Sequence, residues 1–297
     1  MDYLYLIASV GFMSTSSIFG GFYTRRTKDK KAPVPLYNVI EAISCFFVWA
    51  ILYAVNFTFE PKVLLYSLAM GACFTCCKIG TVNALRTGPV TLTSLINSLS
   101  LIGATIWGFI FWGAKVTPFA IVGILLVAVA LALCLYGGKD EHKDGEENGT
   151  NKISLKWLLF VGMSFFGNMA STIIQRTQQT AFDGEHGNML MFFSLIISVA
   201  VCGVFYGRSD KTDSVSLIKT SGAFPVAAGV GNVLLNLFVM LLATSSISPS
   251  IVYPTICIGG LSLTILTSLV VFKERLKWWQ WIGIAIGATA VVLLNLG

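Results

Sequence analysis

Long apolar runs alternate with short polar breaks along the whole chain. Ten stretches of about twenty residues stand out, at 3–24, 35–55, 62–85, 90–112, 118–137, 155–177, 188–206, 218–243, 248–272 and 278–296. A bilayer core ~30 Å thick needs roughly 20 apolar residues of helix at 1.5 Å rise per residue, so each run predicts a transmembrane helix. One segment, Gly138 to Lys156 with the run KDEHKDGEENGTNK, is polar and long enough to be a solvated linker. It falls near the middle and leaves five spans on each side. The expected fold is therefore all-α integral membrane, with ten transmembrane helices. The expected domains are 1–137, a linker at 138–154, and 155–297.

Composition agrees. Of 297 residues, 55% are apolar and 11% charged, against about 25% charged in globular proteins. The mean hydropathy is +0.78. The 21 Phe, 9 Tyr and 7 Trp suit lipid-facing and interfacial positions. This excludes a disordered chain, a disulfide scaffold and a nucleic-acid binder, because the net charge of +6 sits in short loops. The first span is not a cleavable signal peptide. Its only early charge is Asp2, and the basic cluster Arg25, Arg26, Lys28, Lys30 and Lys31 follows it. The loops after spans 1, 3, 5, 7 and 9 hold sixteen Lys and Arg, and the other loops three. The positive-inside rule puts the basic loops in the cytoplasm and both termini outside. A bacterial cell membrane is the expected setting.

Five spans per half make the second half enter the membrane from the opposite side. A shift of 160 residues aligns Gly71–Gly137 with Gly231–Gly297 without a gap, with ten of 67 pairs identical, among them Pro89/Pro249, Gly123/Gly283 and Ala130/Ala290. The expectation is two inverted five-helix repeats. That is a usual transporter architecture, with a substrate site near the midplane between the repeats.

The C-terminal stretch FKERLKWWQWIGIAIGATAVVLLNL, Phe272 to Leu296, resembles the end of an EamA-type domain of the drug/metabolite transporter superfamily. Glu274, Gln280 and Gly283 occupy the characteristic places, and Ser248-Pro249-Ser250 before span 9 is also similar to that family. The first half departs from the pattern, with Ala114 and Ala120 where Glu274 and Gln280 stand. The resemblance implies a ten-helix transporter in which helices 1–4 and 6–9 surround a central cavity and helices 5 and 10 lie outside. Amino acids, purines, nucleotide sugars, sugar phosphates and organic cations are substrates across that superfamily. It is often drawn with cytoplasmic termini, opposite to the charge count.

Polar groups at membrane depth are costly unless they have a task or a partner. Glu41 lies about six residues into span 2 and Lys78 about seven before the end of span 3, both ~10 Å deep from the cytoplasmic side. They are placed to pair, with Asn97 close enough in depth to join. In one reading Lys78 attracts an anionic group and Glu41 is its counter-ion or a proton acceptor; in the other they are a structural ion pair or snorkelling side chains. Nearer the midplane lie Asn168, the i, i+4 pair Asn232 and Asn236, the run Ser14, Thr15, Ser16 and Ser17, and Tyr253 followed by Pro254. They either line a polar cavity or make interhelical hydrogen bonds. Pro254 would kink span 9. Gly283-x-x-x-Gly287 is a small-residue face for the partner repeat or for a homodimer.

Cys73, Cys76 and Cys77 have no His or carboxylate beside them, so no metal and no cofactor is expected. No nucleophile elbow, phosphate loop or H-E-x-x-H motif occurs, and the protein is not expected to be an enzyme. The expected function is secondary or facilitative transport of a small polar or amphipathic metabolite, with membrane lipid and the solute as partners. The rival readings are an exporter of lipophilic cations and a scaffold or receptor that moves nothing.

Overall fold

The computed structural model describes residues 2–31, 33–111, 117–136, 154–243, 245, 249–273 and 277–296. The described residues form helices and connecting turns, with no strand among them. The helices are α1 (Asp2–Met13), α2 (Thr15–Arg26), α3 (Pro33–Val55), α4 (Pro61–Thr87), α5 (Val90–Phe111), α6 (Pro118–Tyr136), α7 (Leu155–Ala181), α8 (Gly187–Gly207), α9 (Ser214–Ser221), α10 (Ala223–Ala243), α11 (Pro249–Val270) and α12 (Trp278–Leu296). Among the described residues, six units are long and apolar enough to cross a membrane: Asp2–Arg26, Pro33–Val55, Pro61–Thr87, Leu155–Ala181, Gly187–Gly207 and Ala223–Leu242. Large apolar side chains such as Phe47, Leu65, Leu159, Phe166 and Leu266 are exposed on the outside of the bundle. This is the surface of a multi-pass membrane protein, which faces lipid rather than water.

Local chemistry explains the helix boundaries. Pro61 opens α4, where a missing N–H costs least, and the Glu60 side chain caps the turn by accepting from the Lys62 N–H at 3.3 Å. Ser154 caps α7 by accepting from the Trp157 N–H at 3.1 Å. The first span departs from its expected single helix and breaks at Ser14. The Ser14 hydroxyl donates to the Gly11 carbonyl at 3.1 Å and the Thr15 hydroxyl to Phe12 at 2.7 Å. Such back-bonding competes with the helical ladder and bends it. The expected eighth span divides into α9 and α10 at Gly222. By contrast α11 runs without interruption through Pro254. The linker at 138–153 and the Glu274 position lie outside the described residues.

The core lies between the halves. α4 packs along α7 and α8, α10 along α1, α2 and α3, and α5 along α7 and α11. The further main pairs are α3 with α8, α1 with α11, and α6 with α12. Each of these pairs joins a helix before the linker to one after it. At the α4–α7 crossing each helix offers a glycine to the other's backbone. A Cβ on Gly80 would sit 2.7 Å from the Ser164 nitrogen, and one on Gly167 2.7 Å from the Cys77 nitrogen. Close approach through small residues is how helices pack where lipid supplies no hydrophobic drive between them. The small-residue face of α12 is taken up inside the chain, since Gly287 lies against Ala130 of α6.

One end of the bundle gathers loops that the charge count assigned to one side. The Lys31 N–H donates to Asp213 at 3.0 Å, and the Lys31 ammonium pairs with Asp210 at 3.3 Å. Arg25 donates to the Phe272 carbonyl at 2.9 Å, with its guanidinium over the Phe272 ring.

Candidate functional site

A cavity of about 130 Å³ opens inside the bundle, between the helices of the two halves. At ~10–15 Å³ per water-sized site, it holds on the order of ten waters or one small solute. Its lining comes from α1, α2, α3, α4, α5, α7, α10 and α11.

On α3 and α4 stand the two charged side chains of the described lining. Glu41 is eight residues inside the start of α3 and Lys78 nine before the end of α4, each ~12–14 Å in by helical rise. The Lys78 ammonium donates to the Glu41 carboxylate at 2.7 Å. Burial is nearly complete, at 2% exposure for Glu41 and 5% for Lys78. The same ammonium lies 3.7 Å from the Cys45 sulfur and 5.0 Å from the Phe74 ring centre. The partner that offsets its burial is therefore already in place.

Asn97 of α5 does not join that pair. Its Nδ2 donates to Thr81 at 3.2 Å, and its Oδ1 accepts from the Ser164 hydroxyl at 2.7 Å. Thr81 and Ser164 share a further hydroxyl contact across the α4–α7 crossing. Asn168, in the middle of α7, donates to the Ser100 hydroxyl at 2.7 Å and to the Asn97 carbonyl at 3.4 Å. These bonds fasten α4, α5 and α7 together at one place.

α10 is different. Asn236 Nδ2 donates to the Asn232 carbonyl at 2.9 Å and its side-chain oxygen at 3.1 Å, all within one helix. Asn232 Nδ2 and Asn236 Oδ1 have no hydrogen-bond partner among the described residues. Two further lining groups, Gln175 Nε2 on α7 and the Ser94 hydroxyl on α5, are buried without a partner.

The structure thus brings Glu41, Lys78, Asn97, Asn168, Asn232 and Asn236 to one cavity, together with Ser16 and Ser17 of α2. The Tyr253 side chain lies outside the described residues. Sequence reasoning missed Thr81, Ser164, Ser171, Thr172, Gln175 and Thr264. A signal was present: Asn168, Ser171, Thr172 and Gln175 repeat at i, i+3, i+4 and i+7, the period of one helix face. Read for polar rather than apolar positions, that period marks the wall that α7 turns to the cavity.

No protein-family profile and no curated protein matches the sequence. Solved structures do: twenty-eight chains match. One, described only as the crystal structure of a protein, superposes over 99% of this chain and 96% of its own, with a TM-score of 0.64 and 12% identity. At that identity the likeness shows a shared fold alone.

Proposed function

We propose that this protein is a transmembrane transporter of the drug/metabolite type, with ten membrane-crossing helices as two inverted five-helix repeats. It moves a small polar or amphipathic solute by alternating access. The cavity carries this reading, because polar groups from both halves converge there at membrane depth, where they are tolerated when they line a path or site.

The helix pairings support the two-repeat plan. With α1 and α2 taken as one span and α9 set aside, each span can be exchanged for the one five later. α4 on α7 then becomes α10 on α1 and α2, α4 on α8 becomes α10 on α3, and α5 on α7 becomes α11 on α1. The pairs α3 with α8, α5 with α11, and α6 with α12 map onto themselves. The contacts of Lys31 with Asp210 and of Arg25 with Phe272 support an orientation with the basic loops together in the cytoplasm.

Movement of solute comes from its gradient or from protons, with Glu41 the candidate proton acceptor. The reading of a lipophilic-cation exporter loses support because the carboxylate it needs is already paired with Lys78.

Counterflow in liposomes tests the function. Preloaded unlabelled solute should drive transient accumulation of the labelled form, and binding without any exchange would leave a receptor. A reporter fused to the C-terminus tests orientation, and activity confined to the cytoplasm would overturn it.

A further inference from the structure

We infer that the cavity selects a solute bearing no formal charge, held by amides and hydroxyls of α5, α7 and α10, while the Glu41–Lys78 pair stays closed as the solute binds. This rests on the transport reading and narrows its cargo.

Among the described lining residues only Glu41 and Lys78 carry formal charge, and they cancel at 2.7 Å. Of the two sequence readings, anion attractor or structural ion pair, the fold favours the second, since the Lys78 charge is engaged and only 5% of the residue is exposed. A solute with one charge must either enter a neutral cavity unpaired or open the ion pair. Opening it leaves the rejected partner buried without compensation, which is strongly unfavourable. A zwitterion would have to open the pair as well, against the Phe74 ring and Cys45 sulfur that enclose the ammonium.

The remaining polar capacity is of another kind. Gln175 Nε2 and the Ser94 hydroxyl are buried without partners. A buried polar group in that state costs free energy until something bonds to it. Asn232 Nδ2 and Asn236 Oδ1 have no partner among the described residues, so donors and acceptors stand side by side without net charge. Phe12 adds an apolar surface to the lining, held by its stack on Phe238 with ring centres 6.0 Å apart. The complement is a small uncharged molecule with several hydrogen-bonding groups and one apolar face. A site built around such bonds rejects analogues that leave its buried groups unpaired.

The test uses probes matched except for charge: adenosine with adenosine monophosphate, glucose with glucose 6-phosphate, nicotinamide with the 1-methylnicotinamide cation, and leucine as a zwitterion. Thermal shift of the full-length protein in detergent reads binding, and counterflow in liposomes reads transport. We expect at least one uncharged probe to raise the Tm by several degrees while its charged counterpart at equal concentration does not. Gln175→Ala and Asn232→Ala should each weaken that binding about tenfold. Asp210→Asn, at an exposed loop outside the cavity, should keep it within about threefold. A charged or zwitterionic probe that binds, or silence from every uncharged probe, overturns the inference. The wild-type comparison decides even where a variant does not fold. An uncharged probe that binds without exchanging leaves the selectivity standing and removes transport; a charged probe that exchanges does the reverse.

Discussion

Two walls of one cavity use their polar residues differently. On the α4–α5 side, Lys78 is joined to Glu41, and both ends of the Asn97 amide are taken by Thr81 and Ser164. On α10 the Asn236 amide bonds within its own helix, and on α7 Gln175 Nε2 bonds to nothing among the described residues. Both walls look alike as composition. The first is cement, because the bonds of Lys78 and of the Asn97 amide each join one helix to another. The second has the chemistry of a binding surface, because it holds amide groups such as Gln175 Nε2 at the cavity without a partner on another helix. Polar residues in a membrane do one task or the other, and partner geometry separates them.

The largest expected effect comes from opening the cement at its charged point. Lys78→Met strands the Glu41 carboxylate and should cost about 3–5 kcal/mol of stability, read as a large fall in Tm in detergent. Adding Glu41→Gln should restore most of the loss. If the single variant is as stable as the double, the pair is not a closed unit.

Next comes the α4–α7 crossing, where Gly167→Val forces a side chain against the Cys77 backbone. Overpacking of this kind costs about 1–3 kcal/mol, and the helices should move apart, which cross-linking between cysteines placed on α4 and α7 would register. Ser164→Ala then removes one interhelical anchor. Its expected cost is ~0.6–1.7 kcal/mol, and it should exceed the cost of Asn236→Ala measured the same way. Equal values would erase the difference between the two walls.

The smallest effect lies outside the membrane. Hydrogen bonds from the Thr212 side chain and backbone, and then Lys31 nearby, hold the Asp210 carboxyl down from 3.8 to about 2. A depressed folded-state value stabilises above pH 3.8, and the benefit fades as the pH falls toward about 2. Asp210→Asn should therefore lower the Tm slightly at pH 7 and less at pH 3. A gap that widens at low pH would contradict the assignment.

Much of this was legible along the chain. The starts and ends of the apolar runs match the helices within a few residues almost everywhere, because a helix in lipid must satisfy its own backbone. The exceptions have local causes: hydroxyls that bond backward at Ser14 and Thr15, and a separate turn of helix before Gly222. The candidate residues were found for a related reason, since polar atoms at membrane depth are few and costly. Their division of labour was not legible. Asn97 and Asn232 are the same residue type in similar surroundings, and nothing in the sequence tells that Ser164, 67 positions away, satisfies one and not the other.

By itself the sequence determined that the chain is helical and built for a membrane, since burial in lipid acts on each segment independently and depends on length and composition alone. It also determined which side chains had to answer for being polar there. Only the tertiary structure decided that the core forms between the halves, that the small-residue face of α12 closes on α6, and that Lys78 is neutralised by Glu41. Those outcomes depend on which helices become neighbours. A hydrogen bond or an ion pair acts over about 3 Å, a distance that has no counterpart in spacing along the chain.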